Sequence, residues 1–206
     1  MAIATDRSRG APPRRDCARR IPRPQCASET TTGTFPSPWS FTFAVYLAAV
    51  PLLVIRHAHA GSRSEWKGDD ERRPLSARGT DQARGIAARF AGVPVARIVS
   101  SPAVRCRETV APLALQRGIP VDADDRLAEF ANSVRIEPVL ELIEELPDDA
   151  AICSHGDVIP ELIAALERRG MVIASAPSWR KASVWVLDRE NGAWSRAIAV
   201  PPPDAT

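Results

Sequence analysis

The sequence predicts a three-layer α/β/α sandwich built on a mainly parallel central sheet. Three observations carry that expectation. From residue 51 onward, strand-like apolar runs alternate with helix-period patterns, the order in which a parallel sheet and its crossover helices are laid down. The first run, residues 51–56, is short and aliphatic up to Arg56, as a strand covered on both faces must be. Near the other end, Glu190-Asn191-Gly192 separates two apolar runs, and Asn-Gly is a strong hairpin signal.

The elements follow in order. Ser76 is placed to cap a helix over residues 76–90, where Ala83, Ile86, Ala87 and Phe90 share one stripe. Residues 95–100 form the second strand. Pro102 opens the next helix at a first-turn position, and that helix reaches Gln116 with Gly118 just beyond it. Residues 137–146 carry an amphipathic helical pattern, with Pro147 past its end. Residues 150–154 form the third buried strand, followed by Asp157 as a cap and a helix to Arg169. Residues 182–188 and 193–200 are the hairpin strands. No internal repeat is visible.

Composition narrows the function classes. The chain has 206 residues, room for one domain plus a tail. Its 45% hydrophobic and 25% charged residues exclude wholesale disorder. The formal net charge of +2 is unevenly spread: residues 1–50 hold seven Arg against three acids, so the body carries a small net negative charge and is not a basic nucleic-acid binder. Residues 1–38 contain six Pro and almost no large aliphatic side chains, so residues 1–48 are read as a disordered Arg/Pro-rich leader that includes the start of an apolar run. The folded domain is expected over residues 49–201. The uncharged run 39–55 could be read as a signal or anchor, but Pro51 interrupts it and residues 52–55 lead directly into Arg56-His57, where a strand end is wanted. A cytoplasmic protein outside the membrane is therefore expected. Cys17, Cys26, Cys106 and Cys153 form no CxxC pair and read as reduced thiols, and three His leave little for a metal site. No cofactor and no metal are expected.

The chemistry collects at strand ends. In open α/β sheets, ligands sit beyond the carboxyl ends of the strands. Arg56-His57 follows the first strand, Ser100-Ser101-Pro102 with Arg105 follows the second, and Ser154-His155-Gly156 follows the third. Two His and two Arg at one sheet edge suit an anionic tetrahedral group, because guanidinium forks match phosphate oxygens and helix N-termini add positive potential. One imidazole can then act as nucleophile while the other groups stabilise phosphoryl charge.

Four blocks in this order, LVIRHAHAG (53–61), SSPAVRCRET (100–109), RLAEF (126–130) and SHGDVIPELI (154–163), resemble the histidine phosphatase superfamily with its phosphoglycerate-mutase-like fold. The resemblance covers residues 51–188. It implies that His57 is the phosphorylated nucleophile, that Arg56, Arg105 and His155 hold the phosphoryl oxygens, and that Glu129 donates a proton to the leaving group. Asp122, Asp124 and Asp125 are rival carboxylates, and Arg107 is the nearest competitor of Arg105. As an acid, Glu129 needs a raised pKa or an acidic optimum. On this reading Glu129→Gln leaves phosphate affinity nearly intact while cutting the rate by about 10²-fold or more.

Departures from the family pattern narrow the branch. Arg-His-Gly followed two residues on by Thr or Ser, and then often Asn, is replaced here by Ala58, Ala60 and Arg63. The runs 56–79 and 178–187 look instead like the short phosphohistidine-phosphatase branch, and more narrowly like the phosphatase domain fused behind Nudix hydrolases; no Nudix box occurs in this chain. The expectation is a metal-independent phosphatase acting on phosphomonoesters or protein phosphohistidine. The alternatives are a nucleotide-directed phosphohydrolase of the same fold and a weakly catalytic phosphate or phosphoprotein binder. The partner is thus a phosphorylated small molecule or a phosphohistidine protein. Arg63 and Lys67 are candidates for the distal part of the substrate, as is the pair Arg72-Arg73; Arg180-Lys181 is a weaker one. His59 reads as a bystander, and Cys153 as a small core residue.

Overall fold

A computed structural model of the protein describes residues 51–130 and 135–203. Seven strands, β1 (Leu52–Arg56), β2 (Arg97–Ser100), β3 (Val121–Ala123), β4 (Ala150–Ser154), β5 (Val172–Ile173), β6 (Val184–Glu190) and β7 (Ala193–Val200), form one sheet in the order β3-β2-β4-β1-β6-β7-β5. Four of its six strand pairings are parallel, while β6 runs antiparallel to β1 and β7. Four helices, α1 (Ala77–Arg89), α2 (Val104–Arg117), α3 (Glu137–Glu145) and α4 (Val158–Arg168), cover the two faces.

Alternation along the central strand decides which helix packs where. Leu53 and Ile55 join Ile98 and Cys153 against Ile86 of α1 and Val110 and Leu113 of α2. Leu52 and Val54 point the other way, with Val99 and Ile152, against Leu140 and Ile143 of α3 and Leu162 and Leu166 of α4. The four aliphatic side chains of β1 are buried, and each contributes about 1.5–3 kcal/mol of transfer free energy. Truncating Ile152 in the middle of β4 would cost about 2–5 kcal/mol.

Local signals act as the sequence dictates. The Ser76 side chain accepts the Gly79 N–H at the start of α1, and Gly118 ends α2 in the left-handed conformation at φ 67°. Asn191 and Gly192, at φ 52° and 80°, turn β6 into β7 in the left-handed pair a two-residue hairpin needs. Pro102 lies two residues ahead of α2 rather than inside its first turn, because Ala103 is extended at φ −56° and ψ 132°. The edge strands β3 and β5 have three and two residues, too short to leave a period in the sequence. No described helix is long and apolar enough to cross a membrane. Residues 52–55 of the apolar run are β1; residues 39–50, the leader, Cys17 and Cys26 lie outside the described residues.

Register places the chemistry. Arg56 pairs with Ser154, and Ser100 with Cys153, so the residues that leave β1, β2 and β4 emerge side by side at one edge of the sheet.

Candidate active site

His57 is fixed from three sides. Its backbone N–H donates to the Ser154 carbonyl at 3.0 Å, and its own carbonyl accepts from Ala182 N–H at 3.2 Å. The next N–H, of Ala58, donates to Thr109 Oγ1 at 2.9 Å. The imidazole is only 4% exposed, and Nδ1 donates to the Ala58 carbonyl at 2.8 Å. A carbonyl can only accept, so Nδ1 carries the hydrogen and neutral His57 keeps its lone pair on Nε2. Burial, helped by the charges of His155, Arg105 and Lys181, holds the ring's pKa down to about 3, so that lone pair is free throughout the neutral range.

Around this ring stand His155, Arg105 and Glu129. The two imidazole rings lie 5.4 Å apart. His155 Nε2 donates to Ser101 Oγ at 2.8 Å when the ring is charged, and Nδ1 lies 3.4 Å from Glu129 Oε1. Burial opposes charge on His155, but hydrogen bonds to Cys106 and Glu129 outweigh it and raise the pKa to about 9. Arg105, 2% exposed, reaches the same Glu129 oxygen through Nη2 at 3.2 Å, while Arg63 Nη1 meets Oε2 at 3.3 Å. The hydrogen bond from His155 and the nearby guanidinium groups pull the Glu129 carboxyl down to about 2. Glu129 is thus an anion seated on three cations, the opposite of the raised pKa that an acid role asks for. A phosphoryl dianion in this cleft would compete for the same three groups, and its charge would push the released carboxyl back up.

Neighbouring residues hold these groups in place. A Cβ at Gly156 would come within 2.5 Å of Arg56 Cζ and 2.9 Å of its Nε, so the glycine lets the guanidinium lie flat on the turn after β4. Arg56 Nη1 donates to the Trp179 carbonyl. Asp70, in a 3-10 turn at Asp70–Arg72, accepts from Arg73 Nε at 2.8 Å and lies 3.3 Å from Arg105 Nη1; its carbonyl accepts from the same Nη1 at 2.7 Å. The loop bearing Glu129 is clamped on both sides: Ser154 Oγ donates to the Leu127 carbonyl at 2.7 Å, and Asp157 Oδ2 accepts from Phe130 N–H at 2.8 Å. The resulting cleft has a volume of about 740 Å³.

Comparison with known proteins places the fold. The profile of the histidine phosphatase superfamily (branch 1) matches residues 52–134. The 8-oxo-(d)GTP phosphatase of Mycolicibacterium smegmatis is 34% identical over 156 residues, which is 74% of this chain and 48% of that protein. The chain belongs to the histidine phosphatase superfamily. It spans about half the length of that curated relative. Solved structures agree on the histidine phosphatase fold. Bacillus stearothermophilus YhfR superposes with a TM-score of 0.58 at 19% identity, covering 70% of this chain and 93% of that one. The protein histidine phosphatase SixA complexed with tungstate gives 0.56 at 19% identity, covering 70% and 92%. Mycobacterial glucosyl-3-phosphoglycerate phosphatase gives 0.54 at 20%, covering 73% and 97%.

Of the candidate residues singled out in the sequence, Arg56, His57, Arg63, Arg73, Arg105, Glu129, His155 and Lys181 line this one cleft. Lys67 does not: it is exposed outside the cleft, on the segment that Trp66 Nε1 folds back by donating to the Asp69 carbonyl. Arg72 and Arg107 are exposed, whereas Arg73 is buried on Asp70 and the Ala60 carbonyl. Asp122 and Asp124 are occupied by Arg97 and Arg126 away from the cleft. His59 meets Ser76 Oγ at 2.7 Å beside the start of α1. Cys106 and Cys153 are both free and buried, with Cys106 Sγ 3.5 Å from His155 Nε2. Burial pushes the Cys153 thiol well up. Asp70 and the clamping role of Asp157 had no signal in the sequence, because each depends on a partner far along the chain.

Proposed function

We propose that this chain is a phosphatase that hydrolyses phosphomonoesters or protein phosphohistidine through a phospho-His57 intermediate. The observation that carries the reading is the fixed tautomer of a buried, neutral His57, which keeps its lone pair on Nε2 and lines a cation-rich cleft. In the first step that lone pair forms a bond to phosphorus while the bond to the leaving group breaks, and the leaving atom takes a proton from Glu129. In the second, Glu129 removes a proton from water as its oxygen bonds to phosphorus, the Nε2–P bond breaks, and inorganic phosphate departs. Arg56, Arg105 and protonated His155 carry the charge on the non-bridging oxygens in both steps. The two steps balance on these side chains, without a metal ion.

Glu129 enters this scheme through displacement. The incoming dianion takes Arg105, Arg63 and His155 from the carboxylate, which then takes up from solvent the proton it later delivers. A second reading, a nucleotide-directed phosphohydrolase, is favoured by the 34% identity to an 8-oxo-(d)GTP phosphatase. The test is turnover of an aryl phosphate in EDTA by the parent and by His57→Ala, followed by nucleoside phosphates and a phosphohistidine protein. Activity that vanishes in His57→Ala supports the scheme, and activity that survives refutes it. A kcat/KM at least about tenfold higher on nucleotides than on the phosphoprotein, about 1.4 kcal/mol of transition-state preference, assigns the second reading.

A further inference from the structure

Besides protonated His155, five Arg and Lys side chains line the cleft: Arg56, Arg63, Arg73, Arg105 and Lys181. Arg63 and Arg105 are paired with Asp70 and Glu129, and Arg73 with Asp70. Arg56 and Lys181 make no carboxylate contact within 4.0 Å among the described residues. Arg56 adjoins the nucleophile and is accounted for by the phosphoryl group. Lys181 is not. Its ammonium is held below its ordinary pKa by burial and by the charges of Arg73, Arg56 and Arg105. A cation kept among like charges with no counter-ion is poised for an anion from outside.

The backbone beside it is strained as well. Ala182 adopts φ 64°, a left-handed conformation that costs a non-glycine residue free energy. Its N–H is shared between the Arg56 and His57 carbonyls, each at 3.2 Å. That corner fixes the residue before it, Lys181, against the end of β1, on the cleft side of the turn. The three non-bridging oxygens of a reacting phosphoryl group already have Arg56, Arg105 and His155.

We infer that Lys181 forms a subsite for a second anionic group carried by the substrate close to its reacting phosphoryl group. The inference rests on the phosphatase reading above and gives it a substrate class: phosphoesters or phosphoanhydrides whose leaving group bears a further phosphoryl or carboxylate group. It also separates Lys181 from Arg180, which precedes it and is exposed.

The test is calorimetric binding of three non-hydrolysable anions to the full chain: methylphosphonate, methylenediphosphonate and phosphonoacetate. The parent should bind at least one of the two doubly anionic probes about tenfold more tightly than methylphosphonate, the scale of one charge-assisted contact. Lys181→Met should bring that ratio close to one while still binding methylphosphonate, which shows a folded cleft, and Lys181→Arg should keep most of the preference. A preference for methylenediphosphonate points to a second phosphoryl group, and one for phosphonoacetate to a carboxylate. The inference is overturned if the parent shows no preference, if the preference survives Lys181→Met, or if that variant loses methylphosphonate affinity by the same factor. If none of the three anions binds the parent, the phosphate cleft itself is refuted, which is distinguishable from failure of the subsite alone.

Discussion

Replacing Glu129 by Gln should move phosphate affinity and turnover in opposite directions. Affinity should rise, rather than stay nearly intact as expected from the sequence, because the carboxylate occupies the cleft's cations. Glu129 Oε1 lies 3.2 Å from Arg105 Nη2 and 3.4 Å from His155 Nδ1, and Oε2 lies 3.3 Å from Arg63 Nη1. A close charged contact out of water contributes roughly 1.5–3 kcal/mol. The Glu129 side chain is 32% exposed and Arg63 67% exposed, so solvent screening reduces these figures to about 1 kcal/mol for each buried partner and less for Arg63. An arriving phosphate must displace these contacts. Gln keeps weaker neutral versions of them, so the obstacle falls by about 1–1.5 kcal/mol and orthophosphate should bind roughly tenfold more tightly. Loss of the proton donor should meanwhile lower kcat on an aryl phosphate by about 10²-fold or more. Calorimetry with orthophosphate at pH 7 and steady-state kinetics on the same preparation read both numbers. Unchanged or weaker phosphate binding would refute the idea that the carboxylate competes for the cations, and an unchanged kcat would remove Glu129 from proton transfer.

Other expectations follow from the same geometry. Gly156→Ala places a methyl group against the Arg56 guanidinium, so orthophosphate affinity should fall by about tenfold or more with thermal stability nearly intact; equal affinity would show that Arg56 does not hold the anion. Asp157→Ala removes the acceptor of Phe130 N–H and the cap on Val158 N–H, so unfolding free energy should drop by about 1 kcal/mol and kcat should fall more than phosphate affinity. His155 is raised from 6.5 to about 9 in the folded chain, so its charge favours folding fully below pH 6.5 and this contribution disappears as pH rises through 9. Thermal midpoints of the parent and His155→Asn should therefore converge between pH 6.5 and 9, together with a decline in phosphate affinity of the parent. A gap that stays constant over that window would contradict the assigned charge.

Residues with local causes were legible in the sequence. The Asn191-Gly192 turn, the Ser76 cap and the aliphatic β1 run each express a property of a few adjacent residues, and the structure carries all three. β3 and β5 escaped because strands of three and two residues on sheet edges need no apolar period. Arg105, three residues past Pro102 at the start of the helix, is preferred to Arg107, and the structure buries the one and exposes the other. Lys67 failed as a cleft residue because proximity to Arg63 along a loop says nothing about where the loop folds. The resemblance implies a proton donor at Glu129 but says nothing of its resting charge, which is decided by Arg63, Arg105 and His155, converging from three other segments. Asp70 and Lys181 belong to the same class of long-range effect.

The most direct test of the central claim is a rapid acid quench during turnover of an aryl phosphate in EDTA, comparing the parent with His57→Ala. The parent should yield an acid-labile, base-stable phosphoprotein together with released phosphate, and His57→Ala should yield neither. A parent that turns over without any trapped phosphohistidine at the shortest times, or a phosphoprotein that persists in His57→Ala, would contradict the assignment of His57 as the nucleophile.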